Sequence, residues 1–326
     1  MEYRKFGRTG LSVSPIGLGT VNFSWLTDEA DSFAILDKAF ELGVNLIDTA
    51  NNYNAGQTEA LLGRWFLQGG GRREKMVLAT KVFSPPMEWG SKDVAKRMGT
   101  WVGPNQRGLS AKNIRQACDA SLKRLQSDYI DVYQMHHVDR NTPWEEIWQA
   151  MELLVQQGKV LYVGSSNFAG WHISQAQELA RQRPFMGLVS EQSIYNLLRR
   201  TVELEVIPAC LAYGLAFLPY SPLGGGMLGG KPADNEKGRR ASLPQSEAIT
   251  AFQEYCRSIG QTVSDVALGW LARQPGVTAP IIGPRTMAQF DASVAALDIK
   301  LDDGVVRRVN EFFPGPGGPS PEAYAW

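Results

Sequence analysis

The sequence predicts an α/β fold, a (β/α)8 TIM barrel with an N-terminal β-hairpin and long loops at the C-terminal face. Short apolar runs typical of buried parallel strands recur eight times, and most are separated by segments with helical periodicity. The length of 326 residues leaves a surplus over the about 250 residues typical of such a barrel. A doubly wound sheet has the same local pattern. No linker or shift in composition divides the chain, so we expect one domain over residues 1–326.

The predicted strands follow an N-terminal stretch in which residues 7–10, Gly-Arg-Thr-Gly, suit the turn of a hairpin. The later runs are mostly apolar, as strands buried on both faces of a parallel sheet are. The eight runs cover residues 13–18, 44–47, 76–80, 129–134, 160–164, 187–190, 215–220 and 279–282.

Helical periodicity fills most intervals between these runs. Residues 29–42 predict a helix that ends at Gly43, and apolar residues recur on one face over 114–125. Two long segments, 84–109 and 221–245, remain as loops, and loops of that length are usually functional or mobile.

A further helix is predicted after residue 141 from its signals for beginning and ending. Thr142 is the expected N-cap, Pro143 occupies the first helical position, and Glu145 closes a capping box. Gly158 is the expected end of this helix.

Composition excludes several classes of partner. The 33 basic and 33 acidic residues balance, so no basic field is available for nucleic acid or an anionic membrane. Three well-separated cysteines and three histidines argue against a disulfide framework and a metal site. No apolar signal core and no run of roughly 20 apolar residues is present, so a cytoplasmic protein with a small-molecule substrate is expected.

Polar residues lie at the end of every predicted strand except the first. Because a barrel places its chemistry at the carboxyl ends of its strands, these residues are expected to share one rim. They include Asp48, Tyr53, Lys81, His136, Ser166, Asn167, Gln192, Tyr220 and Arg285.

Each of these residues also has an ordinary structural interpretation. Asp48 suits a cap for the following turn, and Lys81 suits a solvated loop. A lone histidine such as His136 is usually a hydrogen-bonded structural residue, and Tyr53 suits simple packing. Their coincidence on one rim favours a site, provided that the barrel prediction is right.

Together, four of these residues suit protonation of an oxygen. A tyrosine with an unperturbed pKa near 10 is a poor acid at neutral pH, and an ammonium such as that of Lys81 lowers this pKa. Asp48 keeps the lysine charged, and neutral His136 orients a carbonyl oxygen. A hydride donor must then be a cofactor, since no side chain supplies hydride.

Two glycine-containing segments are candidate binding sites for that cofactor. Gly224, Gly226 and Gly229 match a dinucleotide fingerprint, but no helical apolar face follows, so we reject the match. Arg285 lies beside the start of a predicted helix over 287–297. A helix N-terminus and a guanidinium group both favour binding of a phosphate. Gln289 suits either ligand contact or a capping box with Thr286.

An ordered set of motifs across the chain resembles the aldo-keto reductases. The motifs are GLGT at 17–20, DTANNY at 48–53, ATK ending at 81, QMHH at 134–137, GSSNF at 164–168, Gln192, YSPLGGG from 220 and GPRTMAQF from 283. This resemblance implies a barrel that reduces aldehydes or ketones with NADPH. It also implies a catalytic set of Asp48, Tyr53, Lys81 and His136, in which Tyr53 is the acid.

The resemblance implies cofactor-binding positions as well. Ser166, Asn167 and Gln192 would bind the carboxamide, Tyr220 would stack on the nicotinamide, and Arg285 would hold the 2′-phosphate. The full implied set is Gly19, Thr20, Val21, Asp48, Ser166, Asn167, Gln192, Tyr220, Ser221, Pro222, Leu223, Gly225, Gly283, Arg285, Gln289 and Ser293. Ser293 departs from the family, which often has asparagine there, and Val21 stands where some relatives have an aromatic residue.

Two alternative functions remain open at this point. Potassium-channel β-subunits are similar proteins that bind NADPH mainly as regulatory partners, although they carry asparagine in place of His136. The passages 81–99 and 130–168 resemble actinobacterial homologues that reduce nucleotide-activated keto- or enoyl-hexoses in deoxysugar biosynthesis. Relatives that reduce enones tend to replace the histidine with glutamate, so His136 favours carbonyl reduction.

Substrate contacts are the least defined part of the prediction. Trp25, Trp89 and Trp101 are candidates for an aromatic wall, and simple loop anchoring explains each of them equally well. The segment 315–326 is a further candidate to line the pocket. The sequence leaves a homo-oligomer open.

Overall fold

The computed structural model describes residues 1–86, 103–229 and 246–323. Two of the predicted substrate residues, Trp89 and Trp101, lie outside these ranges, as do most of the loop 221–245 and the end of the C-terminal segment. In the described residues, none of the helices is both long and apolar enough to cross a membrane.

The N-terminal hairpin covers one end of the fold. Its strands β1 (Arg4–Lys5) and β2 (Ser12–Val13) pair antiparallel. Phe6 and Val13 are fully buried among the inward-facing residues of the main sheet. The predicted hairpin is therefore confirmed, and it closes the amino-terminal end of the barrel interior.

Eight parallel strands form the main sheet, in the chain order that the sequence predicts, with the last strand beside the first. Parallel bridges Phe217–Val277 and Tyr220–Ile281 join its two edges, so the sheet closes on itself as a (β/α)8 barrel. The strands are β3 (Gly17–Gly19), β4 (Leu46–Asp48), β5 (Val77–Val82), β6 (Ile130–Met135), β7 (Val160–Ser166), β8 (Leu188–Gln192), β9 (Ala216–Phe217) and β10 (Ile281–Ile282).

Helices surround the barrel, with apolar faces that pack against the outside of the sheet. Several begin at side-chain caps, such as Asp28, whose carboxylate accepts from the Asp31 backbone N–H. In chain order the described helices are α1 (Glu29–Glu41), α2 (Gln57–Phe66), α3 (Arg72–Lys75), α4 (Ala111–Leu125), α5 (Trp144–Gln156), α6 (Gly170–Arg181), α7 (Val206–Tyr213), α8 (Glu247–Ser258), α9 (Val263–Ala272), α10 (Met287–Ala295) and α11 (Asp303–Phe312).

Two local predictions are wrong. The run 13–18 is not one strand but the end of the hairpin and the start of β3, because Ser14 turns the chain and Pro15 has no N–H for a ladder. Thr142 is not an N-cap, because its hydroxyl donates to Asp139 over 2.9 Å. The helix instead begins after Pro143, with no side-chain cap.

Strand alternation decides which side chains face the interior. On β4, Ile47 packs against the helices, whereas Leu46 belongs to the interior cluster and Asp48 follows it on the same face. In β8 a one-residue register shift lies opposite Val163 and Gly164. This bulge changes the direction of the last residues of the strand, and Gln192 consequently reaches Asp48 inside the barrel.

Candidate functional site

A buried lysine lies at the centre of the site, at the carboxyl end of β5. Lys81 is fully buried, and its Nζ donates to Oδ2 of Asp48 over 2.7 Å and to the carbonyl oxygen of Thr49 over 2.8 Å. A third bond runs to the hydroxyl oxygen of Tyr53 over 3.1 Å. The structure therefore brings together three of the four residues predicted as catalytic, through one ammonium group.

The charge state of Lys81 follows from these contacts. Burial alone would lower its pKa, but the nearby charge of Asp48 and the contact with Tyr53 outweigh burial, so the pKa of Lys81 is raised. Lys81 is consequently an ammonium at neutral pH, and it holds a positive charge against the Tyr53 oxygen.

His136 completes the predicted set, with its ring beside that of Tyr53. The two rings meet edge to face with centroids 6.0 Å apart, and the histidine backbone N–H donates to the Val82 carbonyl over 2.9 Å. Burial, then the positive charges of Lys81 and His137, lower the pKa of His136 well below its usual value. The imidazole is therefore neutral and is suited to hydrogen bonding with a carbonyl oxygen.

Two glutamines orient the carboxylate of Asp48. Gln192 Nε2 donates to Oδ1 of Asp48 over 2.7 Å, and Gln134 Nε2 donates to the same oxygen over 3.1 Å. The sequence analysis did not assign a role to Gln134. The glutamine near the end of the buried strand β6 was the signal, because a fully buried amide requires a polar partner.

A strained turn carries Tyr53, which is nearly buried, with 9% of its surface exposed. Asn54 and Ala55 both have left-handed backbone angles, with φ of 44° and 55°, and Gly56 follows at 84°. The side chain of Asn54 donates to the Ser24 carbonyl, which ties this turn to the loop after β3. An ion pair at 2.7 Å between fully buried Glu59 and Arg124 fixes the helix that follows.

A hydrogen-bonded amide occupies the rim beside His136. Asn167 Nδ2 donates to the His136 carbonyl over 3.1 Å and to Oγ of Ser166 over 3.0 Å. The Tyr220 hydroxyl donates to Oδ1 of Asn167 over 2.9 Å. The structure thus groups Ser166, Asn167 and Tyr220, and the backbone of Asn167 connects them to Gln192, whose carbonyl accepts its N–H.

The loop after β3 forms the next part of the rim. Thr20 is fully buried, and both its N–H and its hydroxyl donate to the Asp48 carbonyl over 3.0 Å. Gly19 ends the strand, and Val21 is partly exposed. The end of β3 and the loop after it are therefore held against the backbone of Asp48.

The segment after Tyr220 turns sharply across the same face. Ser221 and Gly225 have φ of 53° and 72°, Pro222 is buried, and Leu223 is partly exposed. Asn196 Nδ2 holds the turn through a 2.8 Å bond to the Ser221 carbonyl.

Beside β10 the start of α10 is largely satisfied by its own side chains. Thr286 caps the helix at the Gln289 N–H, and Gln289 Oε1 accepts from the Arg285 N–H over 2.8 Å. The Ser293 hydroxyl donates to the Gln289 carbonyl over 2.8 Å. Gln289 therefore binds the backbone at the start of the helix, but through the Arg285 N–H and not through the N–H of Thr286 that a capping box would use. Gly283 is exposed, and Arg285 is partly exposed at the surface.

Trp25 lies at the outer edge of the site. It lines an open cavity of about 580 Å³ together with Asn54 and Gln57 from the Tyr53 turn. The other two tryptophans predicted for the substrate wall, Trp89 and Trp101, are outside the described ranges.

Comparison with known proteins shows what this chain is similar to. The model of the aldo/keto reductase family matches residues 15–313. The uncharacterized oxidoreductase YrpG of Bacillus subtilis (strain 168) is 50% identical, with all of both chains covered.

Two more distant relatives have names that indicate different roles. Norsolorinic acid reductase B of Dothistroma septosporum is 32% identical over 98% of this chain and 83% of the relative. A probable voltage-gated potassium channel subunit beta of Oryza sativa is 32% identical over 92% of each chain. The family match spans nearly the whole chain, and the chain is therefore an oxidoreductase that belongs to the aldo/keto reductase family.

Proposed function

We propose that this protein reduces an aldehyde or ketone to the alcohol with NADPH, and that Tyr53 supplies the proton. The observation that carries the proposal is the 3.1 Å bond from the buried ammonium of Lys81 to the Tyr53 hydroxyl. Members of this family act on small-molecule carbonyl compounds and typically use NADH or NADPH. The specific choice of NADPH and of carbonyl reduction is our inference.

The protein's own groups account for the proton. When Tyr53 gives its proton to the substrate oxygen, the phenolate that remains lies against the Lys81 ammonium, which stabilises it. Asp48 balances that ammonium over 2.7 Å, so the buried charge is not left unpaired. Solvent reaches only 9% of the Tyr53 surface, so little water screens this interaction.

His136 suits orientation of the substrate oxygen. Its ring stands edge to face with Tyr53, and its low pKa keeps it neutral, so it serves as a hydrogen-bond donor without competing as an acid. Two donors, the Tyr53 hydroxyl and the imidazole, then converge on one oxygen, as general acid catalysis of carbonyl reduction requires.

The rim residues have the chemistry to hold a nicotinamide cofactor. Asn167, Ser166 and Gln192 offer both donors and acceptors close to the Tyr53–Lys81 pair, as a carboxamide requires, and partly exposed Tyr220 offers a ring face. When bound, such a cofactor supplies the hydride.

Arg285 supports NADPH over NADH. Its backbone N–H is engaged by Gln289, while the partly exposed side chain lies at the start of α10. A guanidinium beside a helix N-terminus suits a phosphate, which NADPH carries on its adenosine ribose and NADH does not.

One other candidate function rests on a specific relative. The rice protein is named as a channel subunit, so NADPH binding with a regulatory role is the second candidate. A nucleotide-activated keto- or enoyl-hexose is the runner-up substrate, and His136 favours its carbonyl form over an enone.

The test is NADPH oxidation by the purified protein with an activated aromatic aldehyde, run beside NADH. Turnover with NADPH that exceeds turnover with NADH supports the proposal. Tight NADPH binding without turnover on this aldehyde or on nucleotide keto-sugars would instead favour the regulatory role. Absence of both binding and turnover would contradict the proposal.

A further inference from the structure

Another buried carboxyl group lies next to the rim residues Asn167 and Gln192 in the chain or through contacts, and it makes no hydrogen bond to Asp48 among the described residues. Glu191 is fully buried in β8, one residue before Gln192. Its Oε1 accepts from the Ser193 hydroxyl over 2.6 Å and from the Phe168 N–H over 3.1 Å. Its Oε2 accepts from the hydroxyl of Ser165.

The surroundings of Glu191 contain hydroxyls and backbone groups rather than an ion-pair partner among the described residues. Burial raises the pKa of Glu191 to about 7, and the hydrogen bonds only partly oppose this rise. The titratable side chain that faces it is Cys210 on α7, whose thiol pKa is raised by burial and by this carboxylate. Burial of a carboxyl group costs free energy unless hydrogen bonds replace its contacts with water. The positions of its three donors therefore indicate what the group does.

All three donors lie on the segments that flank the Asn167 turn. Ser165 precedes this turn in β7, Phe168 follows it, and Ser193 continues from β8. Asn167 itself has φ of 61°, a conformation that costs about 1–3 kcal/mol for a residue other than glycine and persists only when surrounding contacts enforce it. Glu191 provides such contacts on both sides of the strained residue.

We infer that Glu191 is a positioning residue that holds the Asn167 turn, and thereby fixes the amide that binds the nicotinamide carboxamide. This inference rests on the proposed function, in which Asn167 contacts the cofactor. Glu191 acts through the backbone of Phe168 and the two serines, and it does not touch the reacting atoms.

Both protonation states of Glu191 can hold the turn. The neutral acid keeps Oε1 as acceptor for Ser193 and Phe168, and its own O–H can donate to Ser165. The Ser165 hydroxyl already lies within 3.3 Å of the Ser190 carbonyl, to which it can donate instead. A glutamine has the same donor and acceptor arrangement as the neutral acid, so Glu191→Gln should preserve the turn and Glu191→Met should not.

The test is the NADPH dissociation constant, followed by quenching of intrinsic fluorescence, together with kcat at saturating NADPH. We expect Glu191→Gln to bind NADPH within about threefold of the wild type. Glu191→Met should weaken binding about tenfold or more, which equals about 1.4 kcal/mol, with kcat changed less than threefold. The double variant Ser165→Ala/Ser193→Ala should also weaken NADPH binding. It replaces Glu191→Met as the test if that variant does not fold.

Asp131→Leu is the matched control for general destabilisation. Asp131 is another buried carboxylate, bonded to Arg73 over 2.8 Å and to the Leu78 N–H over 3.0 Å, near the start of β6. Its loss should lower the melting temperature and leave the NADPH dissociation constant unchanged. Wild-type NADPH binding in Glu191→Met would overturn the inference, and so would a loss of binding in Glu191→Gln or in Asp131→Leu as large as that in Glu191→Met. No NADPH binding by the wild type would overturn the proposed function itself, and this inference with it.

Discussion

The Nζ atom of Lys81, in a fully buried side chain, lies 3.1 Å from the hydroxyl oxygen of Tyr53. A lysine is rarely buried unless a partner compensates the loss of hydration, and here Asp48 is that partner. The arrangement keeps a positive charge where a phenolate would form. The predictions below test the groups that maintain or use this charge.

Lys81→Met should reduce turnover by about 10²–10⁴-fold, because Tyr53 loses the charge that stabilises its phenolate. The same change leaves the Asp48 carboxylate buried without its cation, at a cost of about 3–5 kcal/mol in the free energy of unfolding. Steady-state kinetics and urea unfolding measure the two effects. The double variant Lys81→Met/Asp48→Asn should recover much of the stability and none of the turnover, and recovered turnover would contradict this account.

Gln134→Leu should lower kcat, because the Asp48 carboxylate that holds Lys81 loses one of its two amide donors. Hydrogen bonds to charged groups contribute about 1.5–3 kcal/mol, so a fall in turnover of about tenfold is expected. Gln134→Glu places a second carboxyl group against Asp48, where two like charges oppose joint ionisation. Its turnover should also fall, and wild-type turnover in both variants would exclude a role for Gln134.

His136→Gln should lower kcat/KM about tenfold or more and leave its pH dependence between pH 6 and 8 unchanged. The reason is that burial, Lys81 and His137 lower the pKa of His136, so no titration of this imidazole falls in that range. Rate measurements across the range test the claim. A limb near pH 6.5 in the wild type that disappears in the variant would show that the imidazole titrates there.

Ala55→Gly should stabilise the fold, because Ala55 has a φ of 55° in the turn after Tyr53. Relief of the left-handed strain should raise the free energy of unfolding by roughly 1–2 kcal/mol. The greater flexibility of glycine in the unfolded chain should lower it by about 0.5–1 kcal/mol. Urea unfolding should therefore show a net gain of about 0.5–1 kcal/mol. Ala120→Gly, inside helix α4, is the control and should lose about 1 kcal/mol. Equal losses in both variants would show that the turn is not strained.

Glu191 should make stability fall as pH rises from about 4.5 to 7. Its pKa in the folded state is about 7 against an ordinary value of 4.5, so in that window the folded state binds more protons than the unfolded state. The shift corresponds to roughly 3 kcal/mol. Between pH 5 and pH 8 the wild type should lose more unfolding free energy than Glu191→Gln by most of that amount. Parallel losses would show that Glu191 keeps an ordinary pKa.

The sequence was sufficient to predict the barrel and much of the site. Asp48, Lys81 and Ser166 could be found because each is the last or nearly the last residue of a buried strand, and closure of the sheet brings such ends together. The N-cap prediction failed because a neighbouring side chain competed: the carboxylate of Asp139, three residues earlier, accepts the hydrogen bond from the Thr142 hydroxyl. The positions of Gln192 and Glu191 depend on the bulge in β8, which no local pattern indicated.

The most direct test of the central claim compares Tyr53→Phe with the wild type in NADPH oxidation and in NADPH binding. The variant should fold, because Lys81 keeps two of its acceptors, Asp48 and the Thr49 carbonyl. We expect turnover to fall at least about 10²-fold, as loss of a general acid implies, with the NADPH dissociation constant within about threefold of the wild type. Retention of more than about a tenth of the wild-type turnover would show that Tyr53 is not the proton donor.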